Sequence, residues 1–252
     1  MKRIEGTARF LIGGAWILST AAVLVCVLLF LLPWRGARIR VCNFYGHTVS
    51  PFILWICKAD VRYHHRERID TSKPAIFVSN HTAMTDVFLA MLLCPIGGVG
   101  VAKKEIARVP FFGWAYMLSG HLLIDRQNRE RAIAGLKDVA TAVKKHAVSI
   151  WIWPEGTRSK DGRLRPLKKG FAHLAVATGL PVVPIMVTRA HLNWPKHTVV
   201  AFVRTDIDVT VLEPIDTSSW TTETLEEHIA EVHDAMSSAL PEDQRPLVLE
   251  VA

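Results

Sequence analysis

From Phe10 to Trp34 the chain runs 25 residues without a charged side chain, between Arg9 and Arg35. No other feature restricts the fold as strongly. As a helix rising 1.5 Å per residue it reaches roughly 37 Å, enough for the hydrocarbon core of a bilayer with some tilt. Trp34 beside Arg35 suits an interfacial aromatic belt. A cleaved signal peptide is the rival reading, since Lys2 and Arg3 make a basic start and small residues occur between Ser19 and Ala22. The apolar run continues well past them, longer than a signal h-region. It therefore reads as an uncleaved anchor.

A second uncharged stretch, Val41 to Cys57, holds Asn43, His47 and Pro51. Its 17 residues are marginal for a span. They predict a re-entrant or interfacial helix, paired with the first as a hairpin. Lys2, Arg3 and Arg9 on one side balance Arg35, Arg38 and Arg40 on the other, so charge does not set the orientation. Residues 1–58 are expected to form the anchor and residues 59–252 a globular body.

The full chain has 252 residues, half of them apolar, which excludes a disordered chain and suits one sizeable domain with an appendage. Cys26, Cys42, Cys57 and Cys94 show no C-x-x-C spacing, which excludes the common zinc and thioredoxin patterns. So few cysteines point to a reducing compartment. Charge is uneven: +6 over residues 1–70, +11 over 71–200 and −10 over 201–252. A basic body with an acidic tail suits a polyanionic partner: nucleic acid, anionic lipid or a phosphorylated substrate. A solvated basic surface is the bland alternative.

Beyond residue 59, β-rich runs occur at Ala75–Ser79, Gly98–Ala102, Leu122–Ile124, Val148–Trp153, Val182–Val187, Val199–Val203 and Ile207–Leu212. Helical patterns lie between them. Ile133, Leu136, Ala140 and Val143 share a face behind Asn128; Phe171–Thr178 ends at Gly179; Leu225, Ile229, Val232 and Met236 follow Thr221 or Thr222. The alternation predicts an α/β fold, a mixed, mostly parallel sheet flanked by helices.

Residues with chemistry cluster in loops after strands. Asn80-His81-Thr82-Ala83-Met84-Thr85-Asp86 joins a strand to a helical run. On one continuous helix His81 and Asp86 would lie about 140° apart, but a turn over Thr82–Thr85 can bring them together. A carboxylate accepting from His Nδ1–H leaves Nε2 as a base. The spacing alone is a weak signal, and Asp86 can equally be a helix N-cap. Pro154-Glu155-Gly156-Thr157-Arg158-Ser159 follows another strand. Gly156 permits close backbone approach, and Thr157 and Arg158 offer donors suited to phosphate. Gly120-His121-Leu122-Leu123-Ile124-Asp125-Arg126 and Lys103-Lys104-Glu105 place further cations at strand ends. Together they would make an anion site at one sheet edge. There is no G-x-S-x-G elbow, no phosphate-binding P-loop and no H-E-x-x-H. A histidine base without an obvious nucleophile suggests direct attack by a substrate hydroxyl.

Four blocks occur in order: Asn80-His81-x4-Asp86, Gly120 to Ile124-Asp125-Arg126, Pro154-Glu155-Gly156-Thr157-Arg158-Ser159, and Leu180-Pro181-Val182-Val183-Pro184-Ile185. Over residues 60–215 they resemble the glycerolipid acyltransferase family, specifically its bacterial 1-acyl-sn-glycerol-3-phosphate acyltransferases. Trp153 departs from the family's usual Phe.

The resemblance implies transfer of an acyl group from acyl-CoA or acyl-carrier protein to the sn-2 hydroxyl of lysophosphatidic acid, giving phosphatidic acid. It implies His81 as base and Asp86 as its support. Lys103, Arg126, Gly156, Thr157 and Arg158 would hold the acceptor phosphate. Glu155 would orient the loop or the acceptor glycerol, and Asn80 and Pro184 would shape the site. It implies no metal or tightly bound cofactor, partners among lipids and acyl thioesters rather than nucleic acid, and a catalytic face toward the cytoplasm at the inner membrane. Transfer to another lyso-lipid, such as a lyso-ornithine lipid, is the alternative. A thioesterase or a non-catalytic binder of acidic lipid are more distant ones.

Overall fold

The computed structural model describes residues 2–108, 112–124, 148–194 and 202–247, with 135, 139–141 and 143 between them, and the backbone alone at Lys2, Arg3, Lys103, Phe112 and Ile124. Helix α1 covers Lys2–Phe30, and its segment Ile4–Phe30 is long and apolar enough to cross a membrane. It begins before the uncharged run, where Glu5 pairs with Arg9 one turn on and with Lys58. A turn over Leu31–Trp34 leads into α2, Arg35–Ile56.

The two helices form the expected hairpin. Arg9 Nη1 donates to the carbonyls of Trp55 and Ile56, Trp16 packs on Phe52 at 5.1 Å, and the hydroxyls of Thr20 and Tyr45 meet at 3.0 Å. Contacts that rise in number along α1 and fall along α2 mean antiparallel helices. Helix α2 is six residues longer at its start than the uncharged stretch. Apolar runs mark burial rather than helix ends, and arginines are good helix formers.

The other face of α2 docks on the body at α3 (Thr85–Leu93). A Cβ on Gly46 would lie 2.9 Å from the Met91 carbonyl, so only glycine allows this approach. Asn43 takes the Gly97 N–H at 2.8 Å and donates to the Gly98 carbonyl at 3.1 Å, and His47 Nε2 lies 2.9 Å from the Cys94 carbonyl. Outward-facing Leu11, Leu18, Val23, Leu29 and Phe30 leave α1 with an exposed apolar side.

Among the described residues, seven strands make one sheet: β1 Ala59–His64, β2 Ile76–Ser79, β3 Val99–Lys103, β4 Leu122–Ile124, β5 Ile150–Ile152, β6 Val182–Val187 and β7 Thr205–Val211. The order is β1-β7-β6-β2-β5-β3-β4. Every neighbouring pair is parallel except β6 and β7. The carboxyl ends of β2 to β6 therefore share one edge. This is the mixed, mostly parallel sheet expected.

Alternate residues serve opposite faces. Ile76, Val78, Ile150 and Ile152 pack with Phe171 and Leu174 of α5 (Gly170–Thr178) and with Val232 and Met236 of α7 (Leu225–Ser238). Phe77, Trp151, Val183 and Ile185 pack with Leu89 and Leu93 of α3 and with Ala190 of the short α6 (Ala190–Asn193). A further helix, α4 (Phe112–Ser119), lies against α1.

Three sequence expectations change. Strand β1 was not expected, although Val61 and Tyr63 alternate with Asp60, Arg62 and His64; on an edge, that alternation buries one side only. Phe202 and Val203 lie outside any strand, the rest of Val199–Val203 being outside the described residues. Helix α7 starts after Thr224, whose hydroxyl accepts the Thr221 N–H, so Thr221 and Thr222 are not its cap. Of the helix expected behind Asn128, Val139, Ala140 and Val143 are helical and buried in the core; Asn128, Ile133 and Leu136 fall outside the described residues. Helix α5 ends as expected at Gly179, where φ is +67°.

Candidate active site

Strand β2 delivers Asn80 and His81 to the shared edge. The Asn80 side chain imitates one more rung of the sheet: Nδ2 donates to the Val187 carbonyl and Oδ1 accepts the Val187 N–H, both at 2.8 Å. His81 is thereby fixed where the strand ends.

Asp86 sits in the first turn of α3, and its carboxylate reaches back over the loop rather than capping the helix. Its Oδ2 accepts the N–H groups of Thr82 at 2.5 Å and Ala83 at 2.8 Å, and lies 3.0 Å from His81 Nδ1. Three donors on one oxygen define the turn that the five-residue spacing required. A carboxylate only accepts, so His81 Nδ1 carries the proton and Nε2 keeps its lone pair. The Asp86 side chain is 1% exposed and that of His81 15%. The His81 ring stacks on Trp153 with centroids 4.5 Å apart and planes 19° from parallel.

Strand β5, beside β2, delivers the second loop. Glu155 Oε1 accepts the His81 N–H at 2.6 Å, and Oε2 accepts the Arg165 N–H at 3.2 Å. The Ser159 N–H donates to the His81 carbonyl at 2.8 Å. The second loop thus grips both peptide groups of His81. Burial, reinforced by nearby Asp86, pushes the Glu155 carboxyl up to about 8 against the two N–H donors. Gly156 has φ +75°, a turn that places exposed Thr157 and half-buried Arg158 beyond it.

The remaining expected residues fall as follows. Lys103 ends β3 in register with Ile124, the end of β4, on the same edge; its side chain and all of Arg126 lie outside the described residues. Pro184 is within β6, opposite Val78, buried one layer below the edge. Two residues, Asn193 and Gln244, went unnoticed in the sequence. Asn193 Oδ1 accepts the Thr85 hydroxyl at 2.8 Å and its amide holds the Cys57 and Val203 carbonyls. Gln244 accepts the Arg189 N–H and donates to the Gly162 carbonyl. Neither carries a local pattern that marks it.

A general base at a sheet edge, held beside a loop with an arginine, can deprotonate a hydroxyl on an anionic substrate. The acyltransferase family model matches residues 60–188, which contain both loops. Proteins named 1-acyl-sn-glycerol-3-phosphate acyltransferase are similar over most of the chain. The Limnanthes douglasii protein is 41% identical over 92% of this chain and 82% of its own, and that of Cocos nucifera 44% over 91% and 73%. The Escherichia coli protein is 36% identical over 67% of each. The crystal structure of the 1-acyl-sn-glycerophosphate acyltransferase PlsC from Thermotoga maritima has the same fold, with a TM-score of 0.75 at 24% identity, covering 92% of this chain and 94% of that one. With the His81–Asp86 pair and the Glu155–Arg158 loop inside the matched region, the chain belongs to the acyltransferase family.

Proposed function

We propose that the protein transfers a fatty acyl group from a thioester to the sn-2 hydroxyl of 1-acyl-glycerol-3-phosphate, forming phosphatidic acid. The observation that carries the mechanism is the His81 Nδ1–Asp86 Oδ2 contact at 3.0 Å, which leaves Nε2 as the base. The names of the relatives support the acceptor.

Nε2 removes the hydroxyl proton as the oxygen attacks the thioester carbon. Asp86 steadies the imidazolium. The carbon–sulfur bond breaks, and the proton passes from Nε2 to the departing thiolate. Arg158 and Thr157, with Gly156 opening the backbone, hold the acceptor phosphate; Lys103, at the end of β3, and Arg126, two positions after β4 in the sequence, add charge. Glu155 fixes the His81 backbone. Asn80 anchors the strand end, and Pro184 supports the edge from below. The chemistry calls for no metal or cofactor, and acyl-CoA and acyl-carrier protein both present the required thioester.

The apolar hairpin makes this a membrane-associated protein. Helix α1 lies along α2, and α2 lies along the body; this packing supports a site close to the bilayer surface, where a lyso-lipid resides. A soluble acyl donor supports the reading that the site faces the cytoplasm at the inner membrane.

The test is thiol release from acyl-CoA, with and without lysophosphatidic acid, for the wild type and His81→Ala. Release that needs the acceptor and is lost in the variant is the expected result. Release without acceptor means a thioesterase, and comparable turnover with a phosphate-free lyso-lipid overturns the acceptor. If acyl-CoA gives none, acyl-carrier protein is the donor to use; silence with both overturns the reading.

A further inference from the structure

At the amino ends of β2, β3 and β5, on the sheet edge opposite His81, lies a cavity of about 480 Å³. Among the described residues its wall includes three cations, Arg35, Arg40 and Lys73, and no carboxylate. Arg40 makes no hydrogen bond or ion pair among the described residues. Arg35 spends Nε and Nη2 on the Gly120 carbonyl at 3.2 and 2.9 Å, which leaves its charge unneutralised. Asp70, outside the cavity wall, stays ionised with its Oδ1 holding the N–H and hydroxyl of Ser72 at 2.8 and 2.6 Å, and offsets part of the Lys73 charge; Arg35 and Arg40 have no such carboxylate in the wall. Three cations facing one hollow repel each other, and an anion between them relieves that repulsion.

The rim states which anion. Trp34 and Ile96 line the mouth and are 57% and 49% exposed. Leu29, Phe30 and Leu32, just before Trp34 at the hairpin turn, are exposed as well. A free phosphate needs no such apolar border. A phospholipid does: its headgroup sits among the cations while its chains run along the exposed end of α1.

We propose that this cavity is a second lipid site, which binds the anionic headgroup of a membrane phospholipid apart from the acceptor site. Arg40 and Lys73 are its main charge contacts, Arg35 supports them, and Trp34 sits at the interfacial level. The proposal stands apart from acyl transfer, because a binding measurement reads it and the cavity contains none of the residues assigned to the chemistry.

The experiment uses the full chain in neutral detergent, titrated with diacyl phosphatidylglycerol or diacyl phosphatidylcholine and read by native mass spectrometry. One retained phosphatidylglycerol, in preference to phosphatidylcholine, is expected. Arg40→Gln with Lys73→Gln weakens that retention roughly 30-fold, at about fivefold per cation near a lipid surface. Arg62→Gln with Arg204→Gln, the same charge loss on the exposed β1–β7 edge, leaves it unchanged, as does Arg158→Ala. An equal loss in the Arg62/Arg204 variant means diffuse charge and overturns the site. A loss in Arg158→Ala places the lipid at the acceptor loop and also overturns it. Displacement by inorganic phosphate at millimolar concentration overturns the lipid as occupant. Independently of any variant, phosphatidylglycerol slows amide exchange in residues 34–40 and 71–74; protection confined to other segments contradicts the proposal.

Discussion

Glu155 Oε1 accepts the backbone N–H of His81 at 2.6 Å, although 74 positions separate them in the chain. The carboxylate that belongs to the phosphate loop is therefore also the clamp on the base. Its second oxygen takes the Arg165 N–H, so one side chain, 2% exposed, joins three segments.

Removing that clamp leaves two part-buried N–H groups, those of His81 and Arg165, without their acceptor. Glu155→Ala is expected to lower stability by about 1–3 kcal/mol per group and to reduce kcat, since His81 loses its backbone support. Urea denaturation and kinetics on the same preparation check both; an unchanged midpoint contradicts the clamp.

The raised carboxyl also gives a pH signature. A carboxyl held up to about 8 in the folded chain binds its proton more tightly there than in the unfolded chain, where 4.5 is ordinary. Its contribution to stability is full below about 4.5 and is lost as pH rises through about 8. The stability of the wild type relative to Glu155→Gln should therefore fall between those values and level off above them. A difference that rises with pH in that window excludes a raised value.

Asp86→Asn keeps an oxygen for the Thr82 and Ala83 N–H groups but removes the charge that supports the imidazolium. We expect kcat to fall about 10²- to 10⁴-fold, comparable with His81→Ala, while the circular dichroism spectrum is retained. A variant with near-normal kcat would show that Asp86 only shapes the loop.

Gln244 is fully buried near the end of the described chain, beyond the region that the family model covers. Its carbonyl takes the Leu164 N–H at 2.9 Å, its side-chain oxygen the Arg189 N–H at 2.9 Å, and its amide donates to Gly162 at 3.2 Å. It thus braces the segment that follows Arg158. Gln244→Ala should raise the KM for lysophosphatidic acid several-fold more than it lowers kcat, and cost about 1–3 kcal/mol of stability. Loss of kcat alone, at constant KM, goes against a role through the phosphate loop.

Gly46→Ala places a methyl group 2.9 Å from the Met91 carbonyl and must push α2 off α3. A loss of about 1–3 kcal/mol is expected, with the hairpin more open to protease. Gly36→Ala, with open space around its Cβ position, serves as the control and should change little.

The local features of this protein were legible in its sequence because they depend on neighbours along the chain. The uncharged run made a helix as far as Phe30, its last four residues forming the turn into α2, and the His81–Asp86 spacing closed through a turn whose own N–H groups bind the carboxylate. Strand runs such as Val182–Val187 were apolar on both faces because both faces are covered. What tertiary structure decided was adjacency. Parallel strands join through crossovers, so β2 can pair with β5 and β6 only after distant segments meet, and no period or spacing records which ones will. That pairing set Glu155 on His81 and Trp153 against its ring, and the packing around it put Gln244 behind the phosphate loop. The same holds for α2. Its composition fits a membrane helix or a docked one, and the close contact of Gly46 with Met91 selects the docked arrangement, because burying one face of α2 against α3 requires a partner surface that only the folded body supplies.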